Sequence, residues 1–254
     1  MVQHTYLKGD FGVYPYTKAS GNVASGKDQV WDSWKEDIGM TDITKQIEEL
    51  KVVPVVAIES VDDAERLADA LTEGGIACAE ITLRTEAGLP SIAALSKRSD
   101  FLVGAGTVNN AEQAASVMDA GAKFIVAPGF NPRTVAWCVE NKAPVFPGTS
   151  SPTDLEQVLE FGLEVVKFFP AEAMGGVKTL KAFHGPYRSI RFMPTGGVSM
   201  SNLKDYLSLP YVIACGGSWM AKSNLIADGR FDEITRLAKE TVQMVDEIRS
   251  GTSG

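Results

Sequence analysis

The sequence predicts an α/β protein: a (β/α)8 TIM barrel with an additional N-terminal helix and a non-regular N-terminal extension. Three observations predict it. Short runs rich in Val and Ile alternate with helix-like stretches, there are eight such runs, and the length of 254 residues fits the usual barrel size of about 250. Each run is apolar on both faces and bounded by Gly or Pro, as strands buried on both sides should be.

Residues 1–39 show neither a helical nor a strand period. They are dotted with Gly and Ser, contain no Arg, and carry six aromatics: Tyr6, Phe11, Tyr14, Tyr16, Trp31 and Trp34. One reading is a flexible leader. The other is a segment whose aromatics dock on this chain or on a partner protein, since disordered segments usually hold few aromatics. From Met40 the rhythm begins with an amphipathic stretch, TDITKQIEEL. The apolar runs follow: VVPVVAI (52–58), ACAEIT (77–82), FLVGAG (101–106), KFIVAP (123–128), PVFP (144–147), EVVKFF (164–169), RFMP (191–194) and YVIAC (211–215). Between them lie helical stretches such as DDAERLADALTEGG, NAEQAASVMDAGA and PTDLEQVLEFG. Several end in Gly, which stops a helix by accepting a left-handed conformation. A last amphipathic helix runs through FDEITRLAKETVQMVDEIR. The organisation is thus an extension over 1–39, a barrel over 40–250 and a loose tail over 251–254. A doubly wound open sheet also alternates strands and helices, but no GxGxxG turn follows the first run.

A formal charge of −8 argues against a nucleic-acid or acidic-membrane surface, which needs clustered Lys and Arg. It leaves room for a small anionic substrate. Cys78, Cys138 and Cys215 stand far apart in apolar stretches and read as buried, reduced thiols. His4 and His184 have no Cys or carboxylate cluster nearby, so no metal site is expected. No apolar run reaches about 18 residues, and the first residues lack a basic-then-apolar signal pattern. A cytoplasmic protein is the expectation.

Functional groups in such a barrel collect at the C-terminal ends of the strands. Two polar residues break the apolar runs there. Lys167 sits in EVVKFF, and desolvating an ammonium costs several kcal/mol unless it is paired or neutral. A neutral amine is the nucleophile that attacks a carbonyl. The competing reading places the lysine head in water or in a salt bridge. Glu80 sits in ACAEITLRT, where alternation puts Cys78, Glu80 and Thr82 on one face, with Arg84 following if the chain stays extended. Glu80 is a candidate general acid and base. It could equally form a structural pair with Arg84 or Lys167. Gly-rich ends form the third feature: GAGTV (104–108), PTGGV (194–198) and CGGSW (215–219). Gly lets backbone amides approach an anion, and barrels often bind phosphate after strands seven and eight.

At these residues the chain resembles the class I 2-keto-3-deoxy-6-phosphogluconate (KDPG) aldolases, including those acting on 4-hydroxy-2-oxoglutarate (KHG). The matching stretches are VVPVV, GGIACAEITLRTE, VGAGTV, GAKFIVAPG, PVFPGTSSPTDL, VKFFPAEAMGGVKTLKAFHGP, RFMPTGGVS and CGGSWM, spread over about residues 50–225. The resemblance implies that Lys167 is a Schiff-base lysine and Glu80 a proton shuttle. It implies that Arg84 and Thr107 hold the pyruvyl carboxylate and that Pro128 and Phe169 line the pocket. Thr195, Gly196, Gly197, Gly217 and Ser218 correspond to the phosphate-binding set. It further implies a phosphorylated keto-acid substrate, a homotrimer, and no cofactor or metal. Some members carry an Arg after the first strand, where this chain reads Val56-Ala57-Ile58-Glu59, which bears on substrate range. Rival readings are a 2-dehydro-3-deoxy-6-phosphogalactonate aldolase, a phosphate-binding isomerase without covalent catalysis, and an oligomeric scaffold displaying residues 1–39.

Overall fold

The computed structural model describes residues 40–251. The readings of residues 1–39 and 252–254 lie outside the described residues. The chain opens with helix α1 (Met40–Leu50), then alternates strand and helix: β1 (Val52–Val56), α2 (Ala64–Glu73), β2 (Cys78–Thr82), α3 (Gly88–Leu95), β3 (Leu102–Gly106), α4 (Ala111–Asp119), β4 (Ile125–Val126) and α5 (Pro132–Glu140). It continues with β5 (Val145–Phe146), β6 (Gly148–Thr149), α6 (Pro152–Glu160), β7 (Val165–Phe168), α7 (Gly176–His184), β8 (Arg191–Pro194), α8 (Leu203–Leu207), β9 (Cys215–Gly217), α9 (Ser223–Ala227) and α10 (Phe231–Gly251). Helix α10 thus runs one residue into the expected tail.

The paired strands are all parallel. Six stand in the order β5-β4-β3-β2-β1-β9, and three in the order β6-β7-β8. Single bridges, Phe192 to Val212 and Thr195 to Gly216, tie β8 and its exit to the segment around β9. The result is an α/β fold whose parallel strands curl as a half-barrel. Two expected strands differ from their sequence runs. The fifth, 144–147, appears as β5 and resumes after Pro147 as β6, because proline has no amide hydrogen for a ladder. The eighth, 211–215, is regular only from Cys215 to Gly217. Its earlier residues meet β8 around Phe192, through a single bridge to Val212.

Local chemistry accounts for many boundaries. Asn110 caps α4 by accepting from the Gln113 amide, and Ser151 forms a capping box with Asp154 on α6. After α2, α4 and α6 the chain turns at Gly75, Gly121 and Gly162, all with positive φ, as the Gly-ended stretches predict.

Alternation along each strand divides the interior in two. Ala79 and Ile81 of β2, with Val166 and Phe168 of β7, face the helices and join a large core with Leu67, Val117 and Ile234. Cys78 of β2 and Val165 of β7 face inward, in a smaller cluster with Val53, Phe124, Phe146 and Met193. Helix α1 covers that inner cluster with Ile43, Ile47 and Leu50, spaced to share one face. Arg191 at the start of β8 binds Glu48 of α1 at 3.0 Å. The N-terminal ends of the strands are thereby plugged, and polar inward-facing residues sit further along β2 and β7.

Candidate active site

Glu80 is the middle residue of β2, flanked in register by Val55 on β1 and Gly104 on β3. Its neighbours Ala79 and Ile81 point outward, so Glu80 points inward, two residues along from Cys78. Lys167 occupies the equivalent place on β7, between outward Val166 and Phe168, beside Gly148 and Met193. The two side chains meet across the interior: Lys167 Nζ lies 3.3 Å from Glu80 Oε1. The lysine side chain is 6% exposed and the glutamate 1%, so neither head is solvated. This selects the Glu80–Lys167 pair among the pairings open from sequence. Among the described residues Glu80 Oε2 is buried without a hydrogen-bond partner.

The surroundings leave room for that carboxylate and little else. A Cβ on Gly106 would lie 2.2 Å from Glu80 Oε1, so only glycine fits there. The next residue, Thr107, has a φ of 60°, a left-handed conformation that β-branched residues rarely adopt. Phe169 follows β7 and sets its ring 5.0 Å from Lys167 Nζ, within reach of a cation–π contact. Pro128 is further off, its carbonyl backing Gly148, the partner of Lys167 in the ladder.

Arg84 does not continue the strand, as the extended reading required. Strand β2 stops at Thr82 and the chain turns. The guanidinium nevertheless returns: its Nε donates to Thr82 Oγ1 at 3.1 Å, and Thr82 in turn donates to the Val56 carbonyl at 2.9 Å. Arg84 is thus anchored through Thr82, two residues from Glu80, by the turn and not by the strand alternation.

The Gly-rich loops stand next to this pair. Gly196 and Gly197 have φ of 97° and 82°. A Cβ on Gly196 would stand 3.3 Å from the Phe169 ring, so the turn after β8 packs directly on the residue two positions after Lys167. Buried Thr195 donates to the Met193 carbonyl at 3.4 Å. Its hydroxyl also crowds Gly216 of β9, where a Cβ would come within 2.4 Å. Gly217 backs onto the Trp219 ring, and Ser218 is exposed beyond it. Lys167, Glu80, Phe169, Thr195 and Gly196 therefore gather in one neighbourhood. Pro128, Arg84 and Ser218 lie at its margins.

Two surface hollows lie elsewhere. One of about 560 Å³ opens between Gly74 and α10, and one of about 650 Å³ beside α1, Arg98 and Lys123. Neither is lined by Lys167 or Glu80, and an open hollow is weaker evidence of chemistry than a buried lysine–carboxylate pair. The cysteines take no part. Burial, and then the charge of Glu80, pushes the Cys78 thiol far up, and burial does the same to Cys215. Sequence reasoning passed over Gly106, whose signal lay in the GAGT loop, over Glu172, which lies in the VKFFPAE stretch without a role read from it, and over Tyr206; the last two meet next to Gly197.

Known proteins share this arrangement of chain. A family model described as "Aldolase: KDPG and KHG aldolase" matches residues 43–237. The 2-dehydro-3-deoxy-phosphogluconate aldolase of Treponema pallidum is 48% identical over 207 residues, covering 81% of this chain and 99% of its own. A crystal structure of the KDPG aldolase of Legionella pneumophila, with pyruvate captured as a covalent carbinolamine, has a TM-score of 0.73 and 38% identity, covering 75% of this chain and 93% of that one. The KDPG aldolase of Zymomonas mobilis with 3-phosphoglycerate has a TM-score of 0.73 and 38% identity, covering 79% and 95%. A buried lysine–glutamate pair, a match over most of the chain and relatives this similar together mean that the chain belongs to the KDPG and KHG aldolase family.

Proposed function

We propose that this chain is a class I aldolase that cleaves KDPG to pyruvate and glyceraldehyde 3-phosphate, and KHG to pyruvate and glyoxylate. The observation that carries this is the buried contact of Lys167 Nζ with Glu80 Oε1 at 3.3 Å. A buried lysine with a carboxylate at hand can supply an amine nucleophile and a proton acceptor together. The relative from Legionella pneumophila holds pyruvate as a carbinolamine, the first covalent adduct of an amine with a ketone.

The neutral amine of Lys167 attacks the C2 ketone, giving a carbinolamine. Glu80 moves the protons as water departs and an iminium forms. Glu80 then accepts the proton of the C4 hydroxyl. The C3–C4 electrons flow into the iminium to give an enamine, and C4 becomes the aldehyde carbon of the leaving glyceraldehyde 3-phosphate. Protonation at C3 and hydrolysis release pyruvate and restore the amine. The iminium is the electron sink. Arg84 and Thr107 hold the pyruvyl carboxylate, and Pro128 and Phe169 line the pocket. Thr195, Gly196, Gly197, Gly217 and Ser218 receive the phosphate, a reading supported by the left-handed conformation of Gly196 and Gly197, which glycine adopts freely.

The proposal extends to the whole chain. Residues 40–250 act as one closed (β/α)8 barrel, supported by the contact of β2 with β7 and by the bridges of β8 to the β9 segment. The enzyme works in the cytoplasm as a homotrimer, and a partner docks on residues 1–39. Among the described residues no helix is long and apolar enough to cross a membrane. The test is reduction with borohydride in the presence of pyruvate, followed by peptide mass mapping. A pyruvyl adduct on Lys167 is expected, and folded protein without that mass shift would remove the mechanism. Comparing cleavage of KDPG with that of its C4 epimer then separates this activity from the phosphogalactonate one.

A further inference from the structure

The turn after β8 has two adjacent glycines and so no side chains of its own to hold it. Its shape comes from neighbours. The Glu172 amide donates to the Gly196 carbonyl at 3.0 Å, and the Ala171 amide to the Thr195 carbonyl at 2.8 Å. From the other side Asn202 Nδ2 donates to the Gly197 carbonyl at 3.1 Å. A Cβ on Gly197 would stand 2.5 Å from Glu172 Cγ, so the glutamate stem is pressed against the turn.

Glu172 itself is exposed, yet its Oε1 accepts a hydrogen bond from the hydroxyl of fully buried Tyr206 on α8. Gly176 leaves space for this, since a Cβ there would lie 3.0 Å from the Tyr206 oxygen and 3.1 Å from Glu172 Oε1. Burial, then the hydrogen bond to Glu172, pushes the Tyr206 hydroxyl far up, so it stays a donor at any working pH. The hydrogen bond to Tyr206 holds the Glu172 carboxylate in one place, and with it the stem that presses on the turn.

We infer that Tyr206 and Glu172 are a positioning pair for the Gly196–Gly197 turn, setting affinity for the phosphate end of the substrate while leaving the bond-breaking step alone. This rests on the reading of that turn as the phosphate cradle. Neither residue touches Lys167 or Glu80 in the described contacts.

The test compares a substrate with phosphate and one without. In Tyr206→Phe the KM for KDPG should rise about tenfold, the loss expected for one hydrogen bond to a charged group. Its kcat, and both constants for KHG, should stay near those of the parent. Glu172→Gln keeps an acceptor for the tyrosine and should leave the KM for KDPG near the parent value. An equal loss on both substrates, or an unmoved KM for KDPG, overturns the inference. Should Tyr206→Phe fail to fold, Glu172→Ala at the exposed position puts the same question, with the same split supporting and an equal loss overturning. If the parent cleaves neither substrate, the functional reading has failed. Titration calorimetry with inorganic phosphate then decides the inference alone: weaker binding by Tyr206→Phe than by the parent supports it. Equal binding, or none by the parent, overturns it.

Discussion

Lys167 Nζ and Glu80 Oε1 are 3.3 Å apart although their strands, β7 and β2, belong to different sheets and share no ladder. Only a curled wall brings such strands face to face. Replacing either residue alone changes the surroundings of the other, because each is the other's buried counterpart.

Glu80→Gln tests the proton shuttle. The amide keeps the shape and an acceptor for Lys167 but cannot take a proton. Turnover on KDPG should fall by about 10²–10⁴, the usual worth of a positioned general acid–base. The borohydride adduct at Lys167 should still form, more slowly. Steady-state turnover near the parent value would show that another group carries the proton.

Lys167→Met tests the pair as an electrostatic unit. It keeps the bulk of the side chain but strands the Glu80 carboxylate in the interior, and removing one partner of a buried pair costs about 3–5 kcal/mol. Adding Glu80→Gln removes the stranded charge and should restore most of that loss, since contacting residues are not additive. Urea unfolding of both single variants and the double variant measures this. Additive losses would mean that the pair is not coupled.

Two glycines of β3 should separate stability from activity. A Cβ at Gly104 would fall 2.2 Å from the Phe124 ring, inside the apolar cluster. A Cβ at Gly106 would fall 2.2 Å from Glu80 Oε1. Gly104→Ala should cost about 1–3 kcal/mol through overpacking, with activity retained in the folded fraction. Gly106→Ala should displace Glu80 and lose turnover out of proportion to its stability. Thermal melts alongside KDPG cleavage decide, and the reverse pattern would dissociate Gly106 from the site.

Legibility from sequence followed the physics of each feature. Glu80 and Lys167 stood out because a charge in an apolar strand breaks the pattern, and their facing was readable from period two. Their partnership was one of two pairings left open, because residues 87 positions apart meet only once the strands curl. The split of the fifth strand was encoded in Pro147, yet a run ending in proline reads as a stop and not as a pause before β6. Tyr206 left no trace and Glu172 was quoted only within the VKFFPAE stretch, since a buried tyrosine in a helix and a glutamate in a loop are each ordinary alone. The turn at Arg84 defeated the period because strand length depends on where α3 must start.

Thr107 offers a strain test. A β-branched residue at φ 60° costs about 1–3 kcal/mol, and such strain gathers at functional sites. Glycine would relieve it while adding its own entropy cost of about 0.5–1 kcal/mol. Thr107→Gly should therefore match or slightly exceed the parent in stability by denaturant unfolding, while the KM for KDPG rises. A clear loss of stability would mean that the threonine side chain holds the fold instead of the substrate.

The buried thiols predict a sensitivity to alkali whose sign can be fixed. Cys78 and Cys215 are both pushed far above their ordinary 9.0, chiefly by burial. The folded chain therefore keeps protons that the unfolded chain releases once the pH passes 9.0. With fewer protons bound in the unfolded state, unfolding becomes easier as pH rises. The stability contributed by each thiol is complete below pH 9.0 and is lost as pH climbs from there towards the folded value, by about 1.4 kcal/mol per unit for each fully titrating thiol. Tyr206, raised from 10.0 by burial and by Glu172, adds to the decline above that value. Cys215→Ala removes one titrating group, so its unfolding free energy should fall less steeply than the parent's between about pH 9 and pH 10.5, whatever its offset at neutral pH. Urea titrations across that interval measure the slope. Equal slopes would mean that Cys215 ionises alike in the folded and unfolded chain, and that its burial does not hold through local opening.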